Sequence, residues 1–197
     1  FSDLAFLPDG RAAFVSFDGD VWLATGLKGD LPAVTWKRFA SGFHEPLGLT
    51  VRKGEIFVND RNGLWRLHDT DGNGEADVHE LFCNLFAQTA ETREFAAGLK
   101  SAPDGSFVIS KGGQQGSTIG KYNGTVLRIA ADGKSFEMLG SGFREPFIVV
   151  HPETGMVTVS DQQGNYVPAT PLYILTKNEY HGFLTHEERD AAAATNI

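Results

Sequence analysis

Residues 41–46 read Ser-Gly-Phe-His-Glu-Pro, and residues 141–146 read Ser-Gly-Phe-Arg-Glu-Pro. A near-copy 100 residues downstream limits the chain to folds built from repeated units, because self-similarity at a fixed period marks stacked or radial arrays. Each copy is followed by an apolar run, a turn, a second apolar run and another turn. Two further copies fill the gaps. The first turns are Asp9-Gly10, Lys53-Gly54, Asp104-Gly105 and Thr154-Gly155, so their glycines step by 44, 51 and 50 residues. The second turns hold Asp18-Gly19, Asn62-Gly63, Asn123-Gly124 and Gly164-Asn165. Asp-Gly and Asn-Gly favour tight hairpin turns because both central positions tolerate positive φ.

Between the turns lie short runs rich in β-branched and aromatic residues: 12–17, 55–59, 106–110 and 156–160. They predict strands. Further strands are expected at 4–7, 21–24, 34–39 and 64–67. Four strands per unit at this period is the pattern of a β-propeller blade. The expectation is an all-β fold with repeat units at about 1–39, 40–90, 91–140 and 141–186, followed by a tail at 187–197. One blade cannot bury both of its faces alone. Four such units either close a four-bladed ring or form part of a larger one, and because both ends stop in mid-unit the larger ring is expected.

Composition narrows the partners. Seventeen Lys and Arg against 25 Asp and Glu leave a net charge of −8, which argues against nucleic acid or an anionic membrane surface. No apolar run is long enough to span a bilayer. The single cysteine, Cys83, excludes an internal disulfide and reads as a small buried apolar residue.

Residues 69–80 carry the sharpest local motif. Oxygen-bearing side chains fall at Asp69, Asp71, Asn73, Asp77 and Glu80, with Gly74 at the sixth position. This is the spacing of an EF-hand calcium loop, in which Glu75 offers its backbone carbonyl and Glu80 binds through both oxygens. The flanks are strand-like, so a calcium ion here is expected to staple a blade rather than to drive a helix pair. Copy three spaces its two turns ten residues wider than the other copies, within the segment Lys111 to Tyr122, whose glycines either let backbone amides approach a ligand or only loosen a loop. His44, Arg93 or Glu94, and Arg144 occupy matching places in successive copies. They either line a channel as an ionisable rim or only flank turn-capping acids. No set of residues for nucleophilic hydrolysis or c-type haem attachment emerges.

The combination of residues 142–146, 157–165 and Tyr180-His181-Gly182-Phe183 resembles the soluble quinoprotein glucose/sorbosone dehydrogenases. Copy two, from Phe39 to Phe86, is more specifically similar to the "membrane-bound dehydrogenase" propeller domains of large secreted bacterial proteins. The resemblance implies a six-bladed propeller holding pyrroloquinoline quinone (PQQ) and calcium, and the oxidation of a sugar or polyol. It also implies a periplasmic or secreted location and a cytochrome or other electron-transfer domain as partner. Arg144 matches the arginine of the family's Arg-Asn-Pro signature, which contacts the cofactor, and Glu145 stands in place of the asparagine. Lys111 and Gln114 are the further candidates for holding it. The family's catalytic histidine is missing, because Arg93-Glu94-Phe95 fills its window. His44 or Glu94 would then take the proton. Two readings stand: a quinoprotein-type dehydrogenase domain, or a non-catalytic calcium-stapled propeller binding a glycan or a partner domain.

Overall fold

The computed structural model describes residues 1–29, 33–86, 94–113, 122–164 and 168–183. The chain divides into two compact units, Phe1–Asn84 and Leu85–Ile197. The expected tail at 187–197 lies outside the described residues.

The first unit holds two four-stranded antiparallel meanders. One runs β1 (Asp3–Phe6), β2 (Ala12–Val15), β3 (Val21–Thr25) and β4 (Thr35–Ala40); the other runs β5 (Gly48–Arg52), β6 (Glu55–Asn59), β7 (Leu64–His68) and β8 (Val78–Cys83). Alternation places Ala13, Val15, Val21 and Leu23 on one face of the first sheet. There they pack with Leu49, Ile56, Val58 and Leu67 of the second in a single core. Asp3 fixes the register between the sheets, since its Oδ2 accepts from the Leu49 amide at 3.0 Å. Cys83 is buried, as its setting in an apolar run predicts.

The second unit begins with β9 (Ala96–Ser101), β10 (Phe107–Lys111), β11 (Thr125–Ile129) and β12 (Phe136–Ser141), again in meander order. Its other sheet has β13 (Phe147–Val150), β14 (Val157–Ser160) and β15 (Leu172–Leu175). Val108, Val126, Leu139 and Phe143 pack there with Ile148, Val157, Val159 and Leu175. The seryl hydroxyl of Ser110 ties the sheets together by donating to the Pro146 carbonyl at 2.8 Å.

One expectation needs correcting. The fourth unit does not complete four strands of its own among the described residues. After β15 the chain crosses back, and β16 (Glu179–Tyr180) adds in parallel to the edge of β12. Glycines at 140 and 142 clear the space that makes this possible, because a Cβ at Gly142 would lie 2.6 Å from the Tyr180 ring. Large apolar side chains stay exposed on the outer faces of the first and fourth sheets: Leu4, Phe6 and Trp36 on one, Phe147, Val149, Leu172 and Ile174 on the other.

Candidate functional site: two equivalent loops and an acidic turn

The repeated hexapeptide turns out to be a loop that enters a sheet and is held from three sides. Its phenylalanine amide donates to the second-turn glycine of the preceding sheet, Phe43 N to Gly19 O at 3.2 Å and Phe143 N to Gly124 O at 3.1 Å. Both glycines have positive φ, and a Cβ would lie 2.3 Å (Gly19) or 2.5 Å (Gly124) from the same phenylalanine's carbonyl oxygen. Turn glycine and motif phenylalanine are therefore one packing unit, which is why they recur in phase. From the other side a buried aspartate caps the loop. Asp60 Oδ2 accepts from the His44 amide at 3.0 Å, while Asp161 accepts from Arg144 N at 2.9 Å and Glu145 N at 2.8 Å. Burial is the main influence on Asp161 and raises its pKa, with the amide hydrogen bonds and Arg144 opposing.

These aspartates follow the second strand of their sheets, where sequence comparison alone marks nothing. The available signal was their phase relative to the hexapeptide, Asp60 after β6 and Asp161 after β14. Two histidines were also missed. His79 stacks on Phe43 at 5.1 Å between ring centroids and His181 stacks on Phe143 at 4.5 Å. An aromatic from the third strand, Trp65 or Tyr173, completes each cluster. The order Phe, aromatic, His recurs in both copies, but the unequal spacings hide it from a fixed-period search.

The proposed ligand-binding residues divide by exposure. His44 is exposed, and its carbonyl accepts from the Arg61 amide at 3.1 Å. Glu45, at φ +50, pairs with the buried Arg61. In the second unit Arg144 is half-buried, and its Nη1 donates to the Gln163 carbonyl. A held guanidinium with part of its surface open suits a carboxylate of an anionic cofactor. Lys111 and Glu94 are wholly buried. The Lys111 Nζ lies 3.4 Å from the Phe86 carbonyl, and burial lowers its pKa to about 8 against the opposing charge of Glu94. Lys111 ends β10, and Gly113 two residues on donates to the Arg144 carbonyl at 2.8 Å. Lys111 is thus two residues from a backbone bond to the Arg144 loop. Arg93 and Gln114 lie outside the described residues.

The acidic turn is closed by hydrogen bonds from its own amides to its own side chains. Asp69 accepts from the amides of Gly72 and Gly74, each at 2.8 Å; Asp71 accepts from Asn73 N at 3.0 Å; Asn73 Oδ1 accepts from Glu75 N at 2.8 Å. Carboxylate oxygens of Asp69, Asp71 and Asp77 come within 4.8 Å of one another. Three like charges so close repel unless a cation lies among them, so this donor set fits a hard divalent ion. Lys37 supplies partial compensation, donating to the Asn73 carbonyl and lying 3.8 Å from the Glu75 carboxylate. Glu80 is placed differently from the expectation. It lies within β8 opposite Arg66, and its carboxylate meets His68 Nε2 at 2.8 Å.

The meander puts the two features at opposite ends of one sheet. The His44 loop leads into β5 beside the β6–β7 turn, whereas the acidic turn joins β7 to β8. Strands of about five residues at roughly 3.3 Å each separate these ends by about 16 Å.

Comparison with solved structures supports a propeller. A Trichoderma reesei enzyme of carbohydrate-active family AA12, solved with calcium, has a TM-score of 0.68 at 11% identity over 92% of this chain and 52% of its own. The PQQ-bound aldose sugar dehydrogenase of Streptomyces coelicolor gives 0.66 at 13% identity over 91% and 60%. The PQQ domain of pyranose dehydrogenase from Coprinopsis cinerea gives 0.63 at 11% identity over 81% and 43%. The chain therefore spans less than two thirds of each. At these identities the likeness shows the fold alone: the four small sheets are blades of a β-propeller. No curated protein matches by sequence. Residues 14–196 match one family throughout, and the chain belongs to that family, described as "Domain of unknown function (DUF7133)".

Proposed function

We propose that this chain is part of a quinoprotein-type sugar or polyol dehydrogenase, with its site at the Ser-Gly-Phe-Arg-Glu-Pro loop of the second unit. The observation that carries this reading is Arg144, held by Asp161 through its amide and by Gln163 through its guanidinium, yet partly open. The likeness to PQQ-bound sugar dehydrogenases supports the same substrate class. When bound, PQQ supplies the two-electron acceptor for a carbinol. Arg144 would hold one of its carboxylates, and Lys111 with Gln114 would complete the cationic and polar surround. The substrate hydroxyl needs a proton acceptor within hydrogen-bond reach, a role we assign to Glu94 in the same unit. The exposed outer faces of the first and fourth sheets support a larger ring in which further blades cover them. A cytochrome-type partner would accept the electrons, in the periplasm or outside the cell.

A second reading has its own observation. Glu145 and Asp161 flank Arg144 with negative charge, which weakens an anion site and suits a non-catalytic propeller that binds a glycan or a partner domain and is stapled by calcium at Asp69, Asp71, Asn73, Glu75 and Asp77. Loading with PQQ and calcium, then following dye reduction against a panel of aldoses, separates the two. Turnover supports the first; PQQ binding and turnover both absent, with glycan binding retained, supports the second.

A further inference from the structure

The segment 179–183 leaves its own sheet and lies along residues 140–142. Glu179 and Tyr180 pair with Gly140 and Ser141, His181 N donates to Ser141 O at 2.8 Å, and Phe183 N donates to Gly142 O at 2.8 Å. Its seat consists of glycines. A Cβ at Gly140 would lie 3.2 Å from His181 Nε2, and one at Gly164 would lie 2.4 Å from the Phe183 ring. The imidazole of His181 sits between Phe143 and Tyr173, at 4.5 and 4.3 Å between ring centroids. Its side chain is 7% exposed, and Nε2 makes no hydrogen bond. The covered stretches bracket both supports of Arg144: the hexapeptide on one side and Gln163-Gly164 on the other.

We propose that residues 179–183 form a strap that positions Arg144 for an anionic ligand, and that the strap seats only while His181 is neutral. The proposal rests on reading Arg144 as a ligand contact. Charged or titratable groups face His181 from each neighbouring element that has one: Glu179, whose Oε2 is 4.0 Å away, on β16; Asp161 after β14; and Tyr173 on β15. β12 and Phe143 contribute none among the described residues. The two carboxylates favour an imidazolium, but burial outweighs them and lowers the pKa. Protonation therefore works against the buried seat, and acid loosens the strap.

The test uses arginine-selective ¹⁵N labelling of the whole chain, with the Arg144 Nε–H signal assigned through Arg144→Lys. Expected is protection, the intrinsic exchange rate at each pH divided by the observed one, that falls at least about tenfold on acidification from pH 7.5, with the same midpoint as the His181 Cε1–H resonance and below pH 6.5. His181→Phe keeps the stack without the proton and should hold that protection constant throughout. Phe183→Ala should remove the protection at every pH and weaken PQQ binding about tenfold, as expected when one charge-assisted contact is lost. Arg144 exchange that ignores the His181 titration in the unmodified chain overturns the proposal, whether or not the variants fold. PQQ failing to bind the unmodified chain at pH 7.5 sinks the cofactor reading instead, and the strap is then judged on Arg144 exchange alone.

Discussion

Truncating Phe143 to alanine tests whether the repeated hexapeptide is an anchor or only a turn. Phe143 has no exposed surface, stacks on His181 and meets Tyr173 edge-on at 6.1 Å. A phenylalanine side chain contributes roughly 150–250 Å² of buried area. Keeping Cβ and losing the ring costs about 4 kcal/mol by transfer and cavity terms together. In a chain of this size that lowers Tm by roughly 8–16 °C. Phe143→Leu, which refills part of the space, should cost only about 1.5 kcal/mol. Urea titration gives the free energy, and amide hydrogen exchange gives the location. The amides of His181 and Phe183, bonded to Ser141 O and Gly142 O, should lose their protection first. A loss below about 1.5 kcal/mol for the alanine variant, or amides at 181 and 183 that stay protected, would refute the anchoring argument.

Gly19→Ala and Gly124→Ala should each destabilise by at least about 2 kcal/mol, since both the positive φ and the carbonyl contact oppose a methyl; thermal melts decide. Calcium titrated by calorimetry should bind and stabilise by about 2.7 kcal/mol at a hundredfold excess over Kd, and Asp71→Asn should abolish the heat. Lys37→Met should tighten calcium roughly threefold by removing a competing cation, whereas a weaker or unchanged Kd contradicts the loop assignment. Arg144→Gln should weaken PQQ at least about tenfold with an unchanged melt. Because burial depresses the His181 pKa, the stability it contributes is complete above the unfolded value near 6.5 and is lost as pH falls through the folded value. Urea midpoints should fall from pH 7 to 5, and His181→Phe should flatten that limb.

The blades were legible because two periods agree: a two-residue alternation within strands and a turn spacing of about 50 residues between them. Glu55–Asn59 falls at its expected limits. The 4–7 strand lies one residue earlier, at Asp3–Phe6, and the 106–110 strand one residue later, at Phe107–Lys111. The crossing of β16 was not legible. It depends on room left by Gly140 and Gly142, and glycine announces a turn as readily as a vacancy. The hexapeptide was visible, while its capping aspartates were not, because a carboxylate that accepts loop amides looks in sequence like any polar residue ending a strand. Lys111 and Glu94 illustrate a different limit. Their charges suggest contact with solvent, yet Lys111 at the end of β10 and Glu94 ahead of β9 are both fully buried.

The placement of the acidic turn at the end of the second sheet away from His44 has an evolutionary corollary. Two selective pressures, resistance to unfolding and choice of ligand, act on loops that share no residue and hang from the same strands. A descendant could erase Asp69, Asp71 and Asp77 while keeping the hexapeptide loop intact. Another could redesign the hexapeptide loop while the acidic turn stays untouched.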